Sequence, residues 1–314
     1  MNVDRHSRKI VRMGYMPVVT NLAAPLLDYA SRSGTGIQFE ALKFSSFAEM
    51  GESLRNGHIH AAFIIAPLSI VLHQQGAGVK LVYIGNRHES TLVCRKDLKV
   101  KSFADLAGKT IAVPMRYSGH NIATRMLGER FGLSGSNLNI VEMNPPDMPS
   151  ALATGSLDAY FVGEPFAAKT VHAGESQVVY YVEQFWPNFI CNLMLVKQDF
   201  IDLDPEAVSL LVQAAARSGM WAKNNVKTAA EIVSKYWNQP ADLVEYAMNT
   251  PLNRVVFDKF VPKYDEMQNL SDLMVKFKLL EGNDIQGLID DSFAKNANLD
   301  GISDIKSILN PPKE

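Results

Sequence analysis

The sequence predicts an α/β fold of two similar lobes followed by a helical layer, and three observations predict it. Strand-like and helix-like patterns alternate through the first two thirds of the chain. A set of residues recurs at a shift of 98 to 100 positions. After about Asp202 the pattern becomes wholly helical.

In order, "KIVRMGY" (9–15) alternates apolar and polar as a strand does, and "NLAAPLLDYAS" (21–31) reads as a helix. "IQFEALKF" (37–44) is a strand, "SFAEMGESLRNG" (46–57) a helix stopped by Gly57, and "IHAAFIIA" (59–66) a strand. The same order returns in "KTIAVP" (109–114), "GHNIATRMLGERFG" (119–132), "LNIVEM" (138–143), "DMPSALATG" (147–155) and "LDAYFVG" (157–163). Helices follow at 204–225, with Asp204 as N-cap and Pro205 in the first turn, at 264–280 and at 285–296. They form a layer on one lobe. The extended stretches "TLVCRKDL" (91–98) and "VVYYVEQFWPNFICNLMLVK" (178–197) are where the chain crosses between lobes. Lobe I is then 9–94 plus 192–314, and lobe II is 95–191.

The recurrence goes beyond element order. Leu54, Gly57, Ala61, Phe63 and Pro67 fall on Leu152, Gly155, Ala159, Phe161 and Pro165 at a shift of 98, and Gly76 falls on Gly174. Asn21 falls on Asn121 at a shift of 100. Ligands of open parallel sheets bind outside the carboxyl ends of the strands. Two such lobes facing each other would put Ala66 and Glu164 on opposing walls of one cleft.

Hydrophobic residues are 47 % of the 314 positions and charged residues 20 %, the composition of a folded domain. A net charge of −2 with no basic block speaks against nucleic-acid binding through phosphates. Only Cys94 and Cys191 are present, too few for a cysteine-rich zinc site, and their pairing is open. No apolar run spans a membrane, since "AAFIIAPLSIVL" (61–72) is interrupted by Pro67, and "MNVDRHSRK" has no apolar signal core.

Chemistry is concentrated at strand ends. In "AVPMRYSGHNIATRML" (112–127) a strand leads into a helix through Tyr117, Ser118 and Gly119, with Arg116 and His120 beside the helix's free N–H groups. Ser118 either caps that helix or turns to a ligand. Glu164 ends an apolar run between Gly163 and Pro165, as an unusual helix cap or as a group that selects the ligand. "GKT" (108–110) is no phosphate loop, because the upstream glycine position holds Phe103 and Thr110 opens a strand. No catalytic signature is present, the seven histidines are scattered, and Cys191 reads as a small buried hydrophobe. Tyr15, Phe44, Phe47, Tyr117, Trp186 and Phe189 cluster where the lobes would meet.

These stretches together, "VRMGYMP", "LRNGHIHAAFIIAP", "SFADLAGKTIAVPMRYSGHN" and "MNPPDMPSALATGSLDAYFVGEPF", resemble the solute-binding proteins of nitrate, sulfonate, taurine and bicarbonate ABC importers. That group also includes binders of thiamine-pyrimidine precursors. The resemblance covers most of residues 9–285 and implies a two-lobed periplasmic-binding-protein fold of type II that closes on its ligand. It places the ligand among Tyr15, Pro17, Asn21, Phe44, Ser45, Ala66, Pro67, Tyr117, Ser118, Gly119, His120, Asn121 and Glu164, and Trp186 joins them as a cleft aromatic. It implies capture of a small anionic solute, with no cofactor or metal, by a monomer that delivers to a membrane permease. An export signal outside this sequence would make it periplasmic or a surface lipoprotein. The alternatives are a thiamine-pyrimidine binder, or an enzyme on this fold resembling a pyrimidine synthase or a desulfinase. The synthase's cysteine-rich motif is absent.

Overall fold

A computed structural model describes residues 8–309. Ten strands form two five-stranded sheets. The first contains β1 (Ile10–Tyr15), β2 (Gln38–Lys43), β3 (Ala61–Ile65), β4 (Val79–Ile84) and β10 (Asn192–Lys197), in the order β2-β1-β3-β10-β4. The second contains β5 (Ser90–Arg95), β6 (Thr110–Val113), β7 (Asn139–Glu142), β8 (Ala159–Gly163) and β9 (Ser176–Tyr181), in the order β7-β6-β8-β5-β9. The two orders are the same pattern. In each sheet one strand runs antiparallel to both its neighbours, β10 against β3 and β4, and β5 against β8 and β9.

The crossings therefore differ from the expected ones. The extended run at 91–98 is not a connection but a central strand of the second sheet, since β5 pairs along its length with β8 and β9. Lobe II starts at Ser90, and the passage from lobe I is the short segment 85–89. Gly85 sits there because a Cβ would stand 2.2 Å from the Thr20 carbonyl oxygen.

Helices cover both faces of the sheets, which is why β3 and β8 are buried along their whole length and read as unbroken apolar runs. In the first lobe these are α1 (Ala23–Ser31), α2 (Phe47–Arg55) and α3 (Ala66–Gln74); in the second, α4 (Gly119–Phe131), α5 (Met148–Ala153) and α6 (Phe166–His172). The duplication extends to backbone detail. Gly57 and Gly155, with φ of 73° and 77°, and Gly76 and Gly174, with 72° and 74°, hold matching left-handed positions.

The remaining helices are α7 (Gln198–Leu203), α8 (Pro205–Asn224), α9 (Val226–Trp237), α10 (Ala241–Asn249), α11 (Tyr264–Lys276) and α12 (Ser292–Lys295). Asp204 caps α8 by accepting from the Ala207 N–H at 3.1 Å. The helix expected over 285–296 is confined to 292–295, because Gly287 takes φ +79° and Ile289 bridges to Leu81 instead. This layer does not stay on one lobe. Leu243 and Ala247 of α10 bury Ala168 of α6, and Lys276 of α11 pairs with Glu129 of α4. One apolar cluster unites Met16, Ala66 and Leu270 with Ile122 and Phe166, so the lobes share a core. Among the described residues no helix is long and apolar enough to cross a membrane.

Candidate functional site

The two halves of the repeat meet where β5 and β10 begin. The Ala66 N–H donates to the Cys191 carbonyl at 2.9 Å, and its counterpart, the Glu164 N–H, donates to the Glu89 carbonyl at 3.0 Å. Each bond ties the end of a parallel strand to the start of an antiparallel one. Across the lobes, the Val19 N–H donates to the Glu164 carbonyl at 2.8 Å. Asn21 and Asn121 also act alike: each side-chain amide donates to the carbonyl five residues back, Met16 at 3.1 Å and Arg116 at 2.7 Å. Both therefore staple a strand-to-helix loop.

The side chains at this junction are polar and buried. Glu89 is inaccessible, and its carboxylate accepts from the Glu164 N–H at 2.7 Å and the Ser90 hydroxyl at 3.3 Å. Burial pushes the Glu89 carboxyl up to about 7, with the neighbouring Glu164 carboxylate adding to the rise. The Cys191 thiol lies beside Glu89 and is driven well above the usual thiol range by burial and then by that carboxylate. His120, the counterpart of Thr20, meets the Ser90 hydroxyl through Nε2 at 2.9 Å and stands 3.8 Å from the Cys191 sulfur. Burial lowers its imidazole to about 3, so it is neutral here.

Glu164 is otherwise employed. One carboxylate oxygen accepts from the Thr91 hydroxyl at 2.7 Å, and the other accepts from the Ala168 N–H at 2.8 Å in the first turn of α6. Arg254 stands 3.6 Å away. Burial raises the Glu164 carboxyl, and Arg254 opposes the rise. That arginine comes from the segment after α10 and reaches lobe II, donating to Glu183, Thr91 and the carbonyls of His88 and Ser90. The junction thus holds three carboxylates, Glu89, Glu164 and Glu183, against one guanidinium. The other deeply buried arginine nearby, Arg87, is held bidentately by Glu266 at 2.9 and 3.1 Å.

Three polar atoms of this region have no hydrogen-bond partner among the described residues: Thr20 Oγ1, Asn86 Oδ1 and His120 Nδ1. Leaving such a group unpaired costs about 1–3 kcal/mol, so three in one place make the junction the candidate site.

The structure sorts the expected ligand residues. Ala66, His120 and Glu164 meet at the junction, and Asn21 reaches it through Asn192 at 2.7 Å. Glu164 does not present a free carboxylate, because protein donors take both oxygens; the cap reading describes it. Ser118 likewise caps α4, accepting from the Asn121 N–H at 3.1 Å. Gly119 packs so tightly under Phe189 that a Cβ would be 2.7 Å from the ring. Tyr15 faces away, its hydroxyl directed to the Tyr236 carbonyl in the helical layer. Pro17 and Pro67 are buried loop and helix-start residues. Phe44 is half-buried and Ser45 exposed, at the entry to α2. Tyr117 is half-buried beneath the Arg116 guanidinium. Trp186 packs edge-on against Phe189 and, with Leu270 and Leu273 of α11, lines a cavity of about 380 Å³ between the lobes. Sequence reasoning missed Glu89, Thr20, Asn192 and Arg254, and gave Cys191 no role. Extending the repeat to a shift of 102, which aligns Glu89 with Cys191, would have found two of them.

Two sheets of one topology, each completed by a strand antiparallel to its neighbours, define a two-lobed fold of the periplasmic-binding-protein type. The chain belongs to the NMT1-like family, whose model matches residues 5–236. It is 26 % identical over 159 residues to the nitrate/nitrite binding protein NrtA of Synechococcus elongatus, covering 49 % of this chain and 35 % of that one. The chain thus spans about a third of that relative's length. The ligand-binding component of an ABC-type import system from Staphylococcus aureus superposes with a TM-score of 0.83 at 19 % identity, over 93 % of this chain and 99 % of that one. The alkanesulfonate-binding protein SsuA from Xanthomonas axonopodis gives 0.75 at 17 %, over 90 % and 98 %.

Proposed function

We propose that this chain is the solute receptor of an ABC-type importer, holding a small polar molecule between its lobes and handing it to a membrane permease. The observation that carries the reading is the junction itself: both antiparallel strands begin there, and three buried polar atoms there lack hydrogen-bond partners among the described residues. Closure then follows from contacts that both lobes make with one solute. The relatives named for nitrate and alkanesulfonate support a solute with an anionic pole. We assign that pole to the start of α4, where Ser118 takes the Asn121 N–H and the helix offers its remaining first N–H groups. Export to the periplasm or a surface lipid anchor, and a monomeric state, belong to the same proposal.

An enzymatic role has less support. The Cys191 thiol at the junction is buried and raised well above the usual range, the opposite of an activated thiolate. Isothermal titration against nitrate, bicarbonate and small sulfonates, read alongside small-angle scattering, tests the receptor. Saturable one-to-one binding with unchanged solute is the expected result; chemical turnover of a bound solute would overturn it.

A further inference from the structure

The two passages between the lobes are tied to each other at one point, and the tie depends on a proton. The first passage is 85–89, and the second runs from the end of β9 at Tyr181 to the start of β10 at Asn192. Arg87 pairs with Ile190 across them and also with Val256 of the segment after α10. Beside that bridge His88 and Asn188 meet, one in each passage, with φ of 78° and 60°. Left-handed backbone is uncommon outside glycine, and finding it on both sides of one hydrogen bond marks a place where the surroundings fix the chain. Asn188 is fixed from three directions. Its carbonyl accepts from the Arg87 guanidinium at 2.7 Å, its side-chain oxygen accepts from Lys259 at 2.8 Å, and its N–H donates to Nε2 of His88 at 2.9 Å. On the other edge of the ring, Nδ1 lies 3.2 Å from the Arg254 carbonyl. A single ring state satisfies both contacts. Nε2 must be bare to accept from an N–H, and Nδ1 must carry the proton to donate to a carbonyl. A second proton, on Nε2, would set one donor against another.

From this geometry we infer that His88 is a proton-operated latch on the hinge: neutral, it ties the two passages together, and protonated, it releases the Asn188 N–H and lets the lobes part. The charges around the ring set the direction. Arg254 donates to the His88 carbonyl at 2.6 Å and Arg87 is the preceding residue, so a cationic ring meets two guanidiniums. Lys259 adds positive charge from the far side of Asn188. Glu183 favours the cation, but Arg254 already holds both its oxygens, at 3.0 and 3.2 Å. Glu266 is taken by Arg87, and Glu89 turns its carboxylate to the Glu164 N–H. Burial holds the imidazole below its ordinary 6.5, and both guanidiniums act in the same sense. The residue is only half-buried, so protons reach it. A group lowered in this way stabilises the tied state above pH 6.5 and ceases to as the pH falls through its lower folded value. The latch belongs to the hinge and does not rest on what the cleft holds.

The test follows the solute-free chain from about pH 8 to about pH 5, the range in which an imidazole titrates. Nitrogen NMR shifts of the His88 ring should report the Nδ1–H tautomer at the upper end and a doubly protonated ring at the lower. Over that change, hydrogen-exchange protection of the Asn188 amide, corrected for the intrinsic effect of pH, should fall tenfold or more. The radius of gyration from small-angle scattering should rise with it, while amides of β3 and β8 keep their protection. His88→Gln, which cannot titrate, should flatten both profiles. An Nε2–H tautomer at the upper end, a ring still neutral at the lower, or wild-type protection that ignores pH would overturn the inference, and none of these needs a variant to fold. So would a His88→Gln chain that follows the wild-type curve, because the titrating group would then lie elsewhere, Glu89 included.

Discussion

The two halves of the repeat share a backbone and differ in chemistry at the same point. In the first half, Ala66 bonds to Cys191, and neither side chain carries charge. In the second, Glu164 bonds to Glu89, and two buried carboxylates sit within hydrogen-bonding distance of one backbone turn. The hydrogen-bond pattern tolerates either pair because it uses only main-chain atoms. What differs is the cost. Burying a lone carboxylate is expensive, and the second half offsets that cost with an arginine drawn from a segment about 90 residues further on. The lesson is that a duplicated scaffold can keep its geometry while one copy takes on buried charge and the other stays uncharged.

Breaking the acid half should be the most damaging change. Arg254→Ala leaves Glu164 and Glu183 without their cation and should cost about 3–5 kcal/mol in urea denaturation. A Glu164→Gln change on the same background should recover part of that loss; strict additivity would mean the pair is not coupled. The Glu89 effect is next. Its carboxyl is raised from an ordinary 4.5 to about 7 in the folded chain, so its contribution is fully present below pH 4.5. That contribution is lost as the pH rises through 7. The stability of wild type minus that of Glu89→Gln should thus fall by roughly 3 kcal/mol over this window. A flat difference would place Glu89 in contact with water or a cation.

Smaller effects sharpen the comparison between equivalent residues. Asn21→Ala removes bonds to Met16, Phe63 and Asn192, whereas Asn121→Ala removes those to Arg116 and Arg125. Losses of about 2 and about 1 kcal/mol are expected, and equal thermal shifts would deny the extra bond of Asn21 any weight. Smallest of all, Lys276→Ala breaks an inter-lobe pair whose side chains are 53 % and 52 % exposed, and should change stability by no more than about 0.5 kcal/mol.

Much of this was legible in the sequence, and the reasons for the rest are physical. Strands β1 to β3 and β6 to β8 announce themselves because side-chain alternation and apolar runs are local signals. The duplication was visible in aligned glycines that share left-handed geometry. Glu164 was visible as an oddity, yet its meaning was not, because Arg254 lies in an irregular segment with no period to read. Membership of β5 in the second sheet was hidden for a related reason: an extended run does not say which neighbour it will pair with. The helical pattern at 285–296 was locally persuasive and lost to one left-handed glycine and a bridge to β4.

The placement of β10 has a consequence for how the chain reaches this state. All five strands of the second sheet lie between residues 90 and 181, so that lobe can assemble as soon as its own segment is available. The first sheet cannot, because β10 stands between β3 and β4, which are made more than a hundred residues earlier. Until residue 197 arrives, four strands wait around an unfilled centre, and closing that gap is a loop-entropy step of long range. Topology alone thus favours the later-made sheet closing first, and pulsed hydrogen exchange during refolding should find amides of β6 and β8 protected before those of β3 and β4. A chain built this way keeps its first lobe unfinished until most of it has been made.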